Sequence, residues 1–261
     1  MQKLKEGIKE FLVFGVKEAR SAIFAGSFFV LLFLSNHIHI PGLARYDFLF
    51  LAAILIQAVM YFTKLETKDE VKVIFLFHII GFILEAYKTH PSVGSWSYPE
   101  EGFFKIANVP LYSGFMYAAV GSYISQAWKI LKLELVHFKH YALAVVLCAL
   151  IYINFFTNHF VYDIRYILIP LVFILFWRTT VRFTVTEKRR SMPLVLGLVL
   201  IGFFVWIAEN ISTLWGAWQY PNQVHTWNIV SSGKITSWFL MVIISFIIVA
   251  YLKHVKELRG K

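Results

Sequence analysis

Two glutamates carry the most explicit chemistry in this sequence. Glu85 lies late in the apolar run 73–87 and Glu209 late in the run 193–211, each among Ile, Leu, Phe and Val. A carboxyl in such surroundings loses the water that favours its charged form, so it keeps its proton and suits proton donation. Leaving it against lipid costs roughly 2.5 kcal/mol or more, so it is expected to face protein groups. His78 and Gly81 precede Glu85 by seven and four positions and fall on the same helical face, so a polar seam runs back from it. The expected catalytic set is Glu85 as general acid, Glu209 as partner base or charge stabiliser, and His78. A plainly hydrated Glu209 at the interface is the competing reading.

The glutamates belong to a larger recurrence. "GSWSYP" at 94–99 and "GAWQYP" at 216–221 share the pattern G-x-W-x-Y-P. In the same order, Asn36-His37 recurs as Asn158-His159, Arg45-Tyr46 as Arg165-Tyr166, and Asn108-Val109 as Asn228-Ile229, followed by Gly114 and Gly233. Two copies of one unit, 21–130 and 141–255, account for this. The recurring polar residues all fall at one end of the apolar runs. Asn36, His37, Arg45, Trp96, Tyr98 and Asn108, with Asn158, His159, Arg165, Trp218, Tyr220 and Asn228, are therefore the candidate substrate-binding groups. Two simpler roles compete: Trp and Tyr gather at membrane interfaces in a belt, and each Arg can anchor a helix end instead of pairing with an anionic head group.

No metal site is expected. His37, His39, His90, His159 and His225 lie on the same side, but the H-x-x-x-H and H-x-x-H-H spacings of membrane di-iron enzymes do not occur among them. Cys148 is the one cysteine, which excludes an intrachain disulfide. The sequence names no cofactor.

The elements that position these residues are membrane spans. Hydrophobic residues make up 59% of the 261 and charged ones 15%, and the mean hydropathy is +0.66. Eight apolar runs, 21–35, 48–62, 73–87, 106–128, 141–156, 166–177, 193–211 and 235–252, are read as transmembrane helices. The sixth is the shortest, bounded by Arg165 and Arg178, whose side chains must snorkel. The fold class is thus an all-α polytopic membrane protein of two parallel four-helix repeats.

Net charge is +10, and its distribution speaks of orientation rather than nucleic acid. Of the 25 Lys and Arg, only Arg45, Lys88, Lys105, Arg165 and Lys234 fall on the side of the glutamates. The positive-inside rule makes both termini cytoplasmic and the glutamates external. Residues 1–20 form an amphipathic inner segment, with Leu4, Ile8, Phe11 and Leu12 at helical spacing among lysines. Residues 131–140 are a basic cytoplasmic linker and 256–261 a basic tail. No signal-peptide cleavage site is evident, so the first span is expected to stay in the mature chain. The expected partners are membrane lipids and a hydrophobic small molecule, with no nucleic acid.

The stretch "GFILEAYKTHPSVGSWSYPEEGFFKIANVPLYSGFMYAAVGSYISQAW" resembles the YoaT-like family of bacterial integral membrane proteins, a domain of unknown function. That resemblance implies the bacterial inner membrane. A helix bearing Glu, a Gly-aromatic-x-Tyr loop and "VP" opening the next span is also similar to carotenoid hydratase and lycopene cyclase type membrane proteins. The latter likeness implies polyene protonation by acidic residues, carried here by Glu85, residues 94–99 and Val109-Pro110; the Pro after the Tyr departs from it.

Three functions follow. An enzyme performs acid–base chemistry on a lipid or isoprenoid, with Trp and Tyr faces stabilising a carbocation. A proton- or cation-coupled transporter uses the same carboxylates. A non-catalytic assembly factor needs neither. Polar residues gathered on one side favour the enzyme.

Overall fold

The computed structural model describes residues 2–138 and 140–259, with side chains from residue 4 to 253. It is mainly helical. Nine helices occur among these residues: α1 (Gln2–Ser21), α2 (Ile23–Leu34), α3 (Arg45–Phe62), α4 (Lys68–Lys88), α5 (Ser113–Ile130), α6 (Tyr141–Thr157), α7 (Arg165–Phe176), α8 (Leu194–Leu214) and α9 (Lys234–Arg259). Three are long and apolar enough to cross a membrane: α3, α8 and Lys234–Lys253 of α9. The helices α2, α6 and α7 are apolar but shorter. Large side chains such as Phe62 (79% exposed), Ile174 (72%) and Trp177 (79%) stand outward, a surface suited to lipid.

Helix α4 starts at a capping box in which Thr67 accepts from the Glu70 amide and Glu70 accepts from the Thr67 amide. Its most extensive packing is against α5. Three glycines allow this approach. A Cβ on Gly81 would lie 2.4 Å from the Tyr117 ring, one on Gly121 2.2 Å from Phe77, and one on Gly114 2.6 Å from His78 Nδ1. An alanine at any of the three would force the helices apart or the ring aside.

Two segments differ from the sequence expectation. The run read as a span from 106 enters its helix only at Ser113, because β1 (Lys105–Ile106) pairs with β2 (Val109–Pro110) in a hairpin. Its two-residue turn has Ala107 at φ 52 and Asn108 at φ 64, as a type I′ turn requires. The basic linker 131–140 is also more than a tether. Within it β3 (Glu134–Val136) joins β4 (Thr180–Thr184), which joins β5 (Arg189–Pro193), in an antiparallel sheet. Lys139 lies outside the described residues. Helix α1 rests on this sheet. Arg190 grips Glu10 through two hydrogen bonds, Lys17 donates to the Thr184 carbonyl, and Phe14 meets Phe183 at 5.9 Å. Of the tail 256–261, residues up to Arg259 continue α9 and the last two lie outside the described residues.

The core falls into two clusters. One runs through α4 to α9, with Phe77, Ile151, Leu198 and Ile243. The other is aromatic and encloses Tyr46, Tyr98, Tyr112, Trp218 and Tyr220. The glutamates lie where the two meet, bonded by Tyr98 and Tyr220 of the second and by Tyr117 and Trp238 of the first.

Candidate carboxylate site

Each copy of G-x-W-x-Y-P follows a glutamate-bearing helix, and its glycine makes the turn. Gly94 has φ 56 and Gly216 has φ 70, the left-handed conformation that a residue lacking Cβ adopts with least strain; Gly216 directly follows the C-cap of α8, whereas Gly94 closes a separate turn beyond the C-cap of α4. The chain then doubles back, so the Tyr four residues on reaches the glutamate one turn or so inside the helix. Tyr98 OH donates to Glu85 Oε2 at 2.7 Å, and Tyr220 OH donates to Glu209 Oε1 at 2.6 Å. The next helix supplies another donor in each case. Tyr117 OH donates to Glu85 Oε1 at 2.7 Å, and Trp238 Nε1 to Glu209 Oε2 at 2.8 Å. Glu85 has one more partner, Trp96 Nε1 at 2.7 Å.

Both carboxyls are buried, at 3% exposure for Glu85 and 4% for Glu209. The hydrated reading of Glu209 is therefore corrected. Burial pushes the Tyr98 and Tyr220 hydroxyls well above the ordinary tyrosine range, with the neighbouring glutamates adding to it. They stay protonated and serve as donors at neutral pH.

The two motifs meet. Ser97 and Gln219 form an antiparallel bridge between them, and Trp96 stands edge-on to Tyr220 with centroids 6.0 Å apart. Tyr117 and Trp238 approach at 6.1 Å. Between the motifs lies Lys234, its Nζ 4.8 Å from the centre of the Trp96 ring and 4.7 Å from that of Tyr220. It interacts electrostatically with both Glu209 and Glu85. The result is two buried carboxyls, five phenol or indole donors and one ammonium in a single cluster.

The other expected residues take supporting places. Asn36 and Arg45 reach across to the end of α8. Asn36 Nδ2 and Arg45 Nη2 both donate to the Trp215 carbonyl, and Arg45 Nη1 donates to Gly216 O and Glu100 Oε1. Asn158 and His159 make the reciprocal reach. Asn158 Oδ1 accepts from Lys88 at the end of α4, and His159 Nε2 shares a hydrogen bond with Ser95 Oγ at 3.1 Å. Arg165 is held by Asp163 and Ser237. These internal bonds occupy the Arg45 and Arg165 groups expected to hold an anionic head group, and the Asn36, Asn158 and His159 groups expected to bind substrate.

Several expectations need correction. Tyr98, Trp218 and Tyr220 are 6–8% exposed and packed in the core, so they form no interfacial belt. Asn108 is an exposed hairpin-turn residue, selected by its positive φ. Asn228 closes its own loop, donating to the carbonyls of Asn222 and Thr226. His37 is exposed, its Nδ1 against Phe33 O. His78 contacts neither glutamate. Its ring lies 4.6 Å from Phe115, and its Nδ1 is buried with no hydrogen-bond partner among the described residues. No group of three His, Cys, Asp or Glu suited to a metal forms among the described residues. A cavity of about 320 Å³ lies beside Arg45, His39 and Glu101, but neither glutamate lines it.

The structure adds residues that the sequence reading passed over. In the sequence Lys234 is one external cation among five. Tyr117 follows the recurring Gly114 by three residues and Trp238 follows Gly233 by five, so no shared spacing ties them to a glutamate. At the other end of α4 lies a second carboxyl pair. Glu66 and Glu70 are each 1% exposed. Ser122 and Gln57 donate to Glu66, while Ser125, Lys129 and Lys253 donate to Glu70. Burial raises the Glu66 carboxyl, and only neutral donors reach it. Burial acts on Glu70 too, but Lys129 and Lys253 outweigh it and hold this carboxyl, which precedes the apolar run 73–87, down at about 2. A Thr-x-x-Glu start signal was present for Glu70.

Fold and site together define a mainly helical protein, with three helices fit to cross a membrane and a buried pair of aromatic-bound carboxyls. The chain belongs to the family described as "Protein of unknown function (DUF817)", whose model matches residues 10–246. It is 54% identical to "Uncharacterized protein YoaT" of Bacillus subtilis (strain 168) over 250 residues, covering 96% of this chain and 94% of that one. No solved structure matches it. The likeness to carotenoid hydratases and lycopene cyclases finds no support in these matches.

Proposed function

We propose that this chain is a multi-pass protein of the bacterial cytoplasmic membrane whose carboxyl clusters serve proton- or cation-coupled translocation. In this reading α2 to α9 are the eight spans, built as two parallel four-helix repeats, 21–130 and 141–255, with both termini inside. The recurring residues support the repeat. Ser97 and Gln219, at matching positions, pair with each other, and Asn36 and Asn158 reach reciprocally into the opposite half.

One observation carries the functional reading: buried ionisable groups occur at both ends of the α4–α5 pair. Glu70 and Glu85 are fifteen residues apart on α4, roughly 22 Å along its axis, with His78 about midway. All three lie within about 80° of one another around the helix. Polar residues confined to one side would favour an enzyme. Glu66, Glu70, Ser122 and Ser125 remove that ground. Phe77 packed on Gly121 blocks the interval, so passage requires water entry or a shift of α4 against α5.

The test uses Glu85→Gln and Glu209→Gln, which keep shape and hydrogen bonding but cannot release a proton. In proteoliposomes carrying a pH-sensitive dye, wild type should pass protons under an imposed potential. E85Q should abolish this flux, and E209Q should reduce it less. Absence of flux in wild type, with a lipid species in cell extracts that changes only when wild type is expressed, would instead support the lipid acid–base enzyme.

A further inference from the structure

The rings that hold the glutamates by their polar edges also present their faces to a cation. Trp96 gives its indole N–H to Glu85, and Tyr220 gives its hydroxyl to Glu209. Their faces converge on Lys234 Nζ at 4.8 and 4.7 Å, within the range of cation–π attraction. One ring comes from each copy of the motif. The ammonium thus sits where two aromatic faces and two carboxyls meet.

An ammonium with three N–H groups is an imperfect occupant of this place. Among the described residues Lys234 Nζ makes no hydrogen bond to an acceptor, whereas a lysine in a half-buried site ordinarily finds one. A cation without N–H groups would leave no donor unsatisfied there. It would balance the carboxyls equally well. The lysine is also placed to leave. It is the first residue of α9, it follows the exposed Ser231, Ser232 and Gly233, and its side chain is half-buried.

We propose that Trp96 and Tyr220 form a cage for a trimethylammonium group, and that Lys234 is its tethered occupant, displaced when that ligand binds. The inference rests on the cation-coupled reading above and names its cation. A trimethylammonium group is offered by a soluble quaternary amine and by a phosphatidylcholine head group, and the cage recognises what the two share.

The test is equilibrium binding of radiolabelled choline to the purified full-length protein in detergent. Lys234→Ala empties the cage and should bind choline about tenfold or more tightly than wild type. Adding Trp96→Phe, which keeps a ring but weakens the cation–π face and removes the indole N–H, should reverse most of that gain. Lys234→Gln serves in its place if the alanine variant does not express as a monodisperse protein. Competition by phosphatidylcholine nanodiscs, against phosphatidylglycerol nanodiscs as control, assigns the ligand to a lipid head group; its absence assigns it to a soluble amine. The proposal is overturned if K234A and K234Q bind choline no better than wild type, or if W96F leaves the gain intact. Choline binding with no proton flux would sink the translocation reading alone, and flux without choline binding would sink the cage alone.

Discussion

Ser97 and Gln219 exchange both of their backbone hydrogen bonds, N to O 2.9 Å in each direction. They stand between the Trp and the Tyr in the two copies of G-x-W-x-Y-P, so the chain pairs with its own counterpart at the site. Because the bond is main-chain, the Ser97 side chain is dispensable to it. Ser97→Ala should melt within about 0.5 kcal/mol of wild type in detergent. Ser97→Pro removes the donor and should cost about 1–3 kcal/mol. A proline variant as stable as wild type would show that the bridge holds nothing together.

Orientation follows from the side on which Arg45, Lys88, Lys105, Arg165 and Lys234 stand apart from the other twenty of the 25 Lys and Arg. In a Cys148→Ala background, cysteines at Ser92 and His225 should react with an impermeant maleimide added to intact cells. One at Glu187 should react only after permeabilisation. All three positions are exposed, whereas nearby Gln223 is buried and would not report. The reverse pattern would place the glutamates inside.

Gly81 lets Tyr117 reach Glu85. The Tyr117 ring lies 2.4 Å from where an alanine Cβ would be, so Gly81→Ala must push the ring aside and take the donor with it. Tyr117→Phe removes only the hydroxyl. Expected losses in thermal stability are about 1–2 kcal/mol for Y117F and about 1–3 kcal/mol of additional strain for G81A. If G81A is the milder of the two, α4 and α5 are not locked by this contact.

Acid should unlock the inner cluster. The Glu70 carboxyl is held at about 2 against an ordinary 4.5, so the folded protein binds its proton more weakly than the unfolded chain does. Its contribution, about 3 kcal/mol, is complete above pH 4.5 and is lost as pH falls toward 2. The melting temperature should therefore hold from pH 7 to 5 and then drop. Glu70→Gln should be less stable at pH 7 and lose less on acidification. Equal acid sensitivity in both would show that Lys129 and Lys253 do not clamp this group.

How much of the site was legible can be judged residue by residue. Glu85 and Glu209 stood out because a carboxyl late in an apolar run demands partners. Tyr98, Tyr220 and Trp96 stood out because their spacing recurs. Lys234 did not, since five scattered outer cations look alike until the chain folds, and its stacking partners lie 138 and 14 residues away. Asn108 recurs and so looks like a ligand, while its left-handed turn is a backbone property that the side chain does not announce.

By itself the sequence determined most of the helices, because apolar length and the Thr67 capping box act within a few residues, but it placed neither the start of α5 at Ser113 nor the sheet of β3, β4 and β5. It also determined which groups must seek protein partners, since burial of a carboxyl is costly wherever the chain goes. Only the tertiary structure decided which partners they find. Joining Ser97 to Gln219, setting Lys234 between two rings, and gathering Glu66, Glu70, Lys129 and Lys253 all depend on contacts across tens to hundreds of residues. Those contacts follow from how α4 packs on α5 through Gly81, Gly114 and Gly121, and α8 on α9 through Gly202, and local periodicity carries no term for that packing.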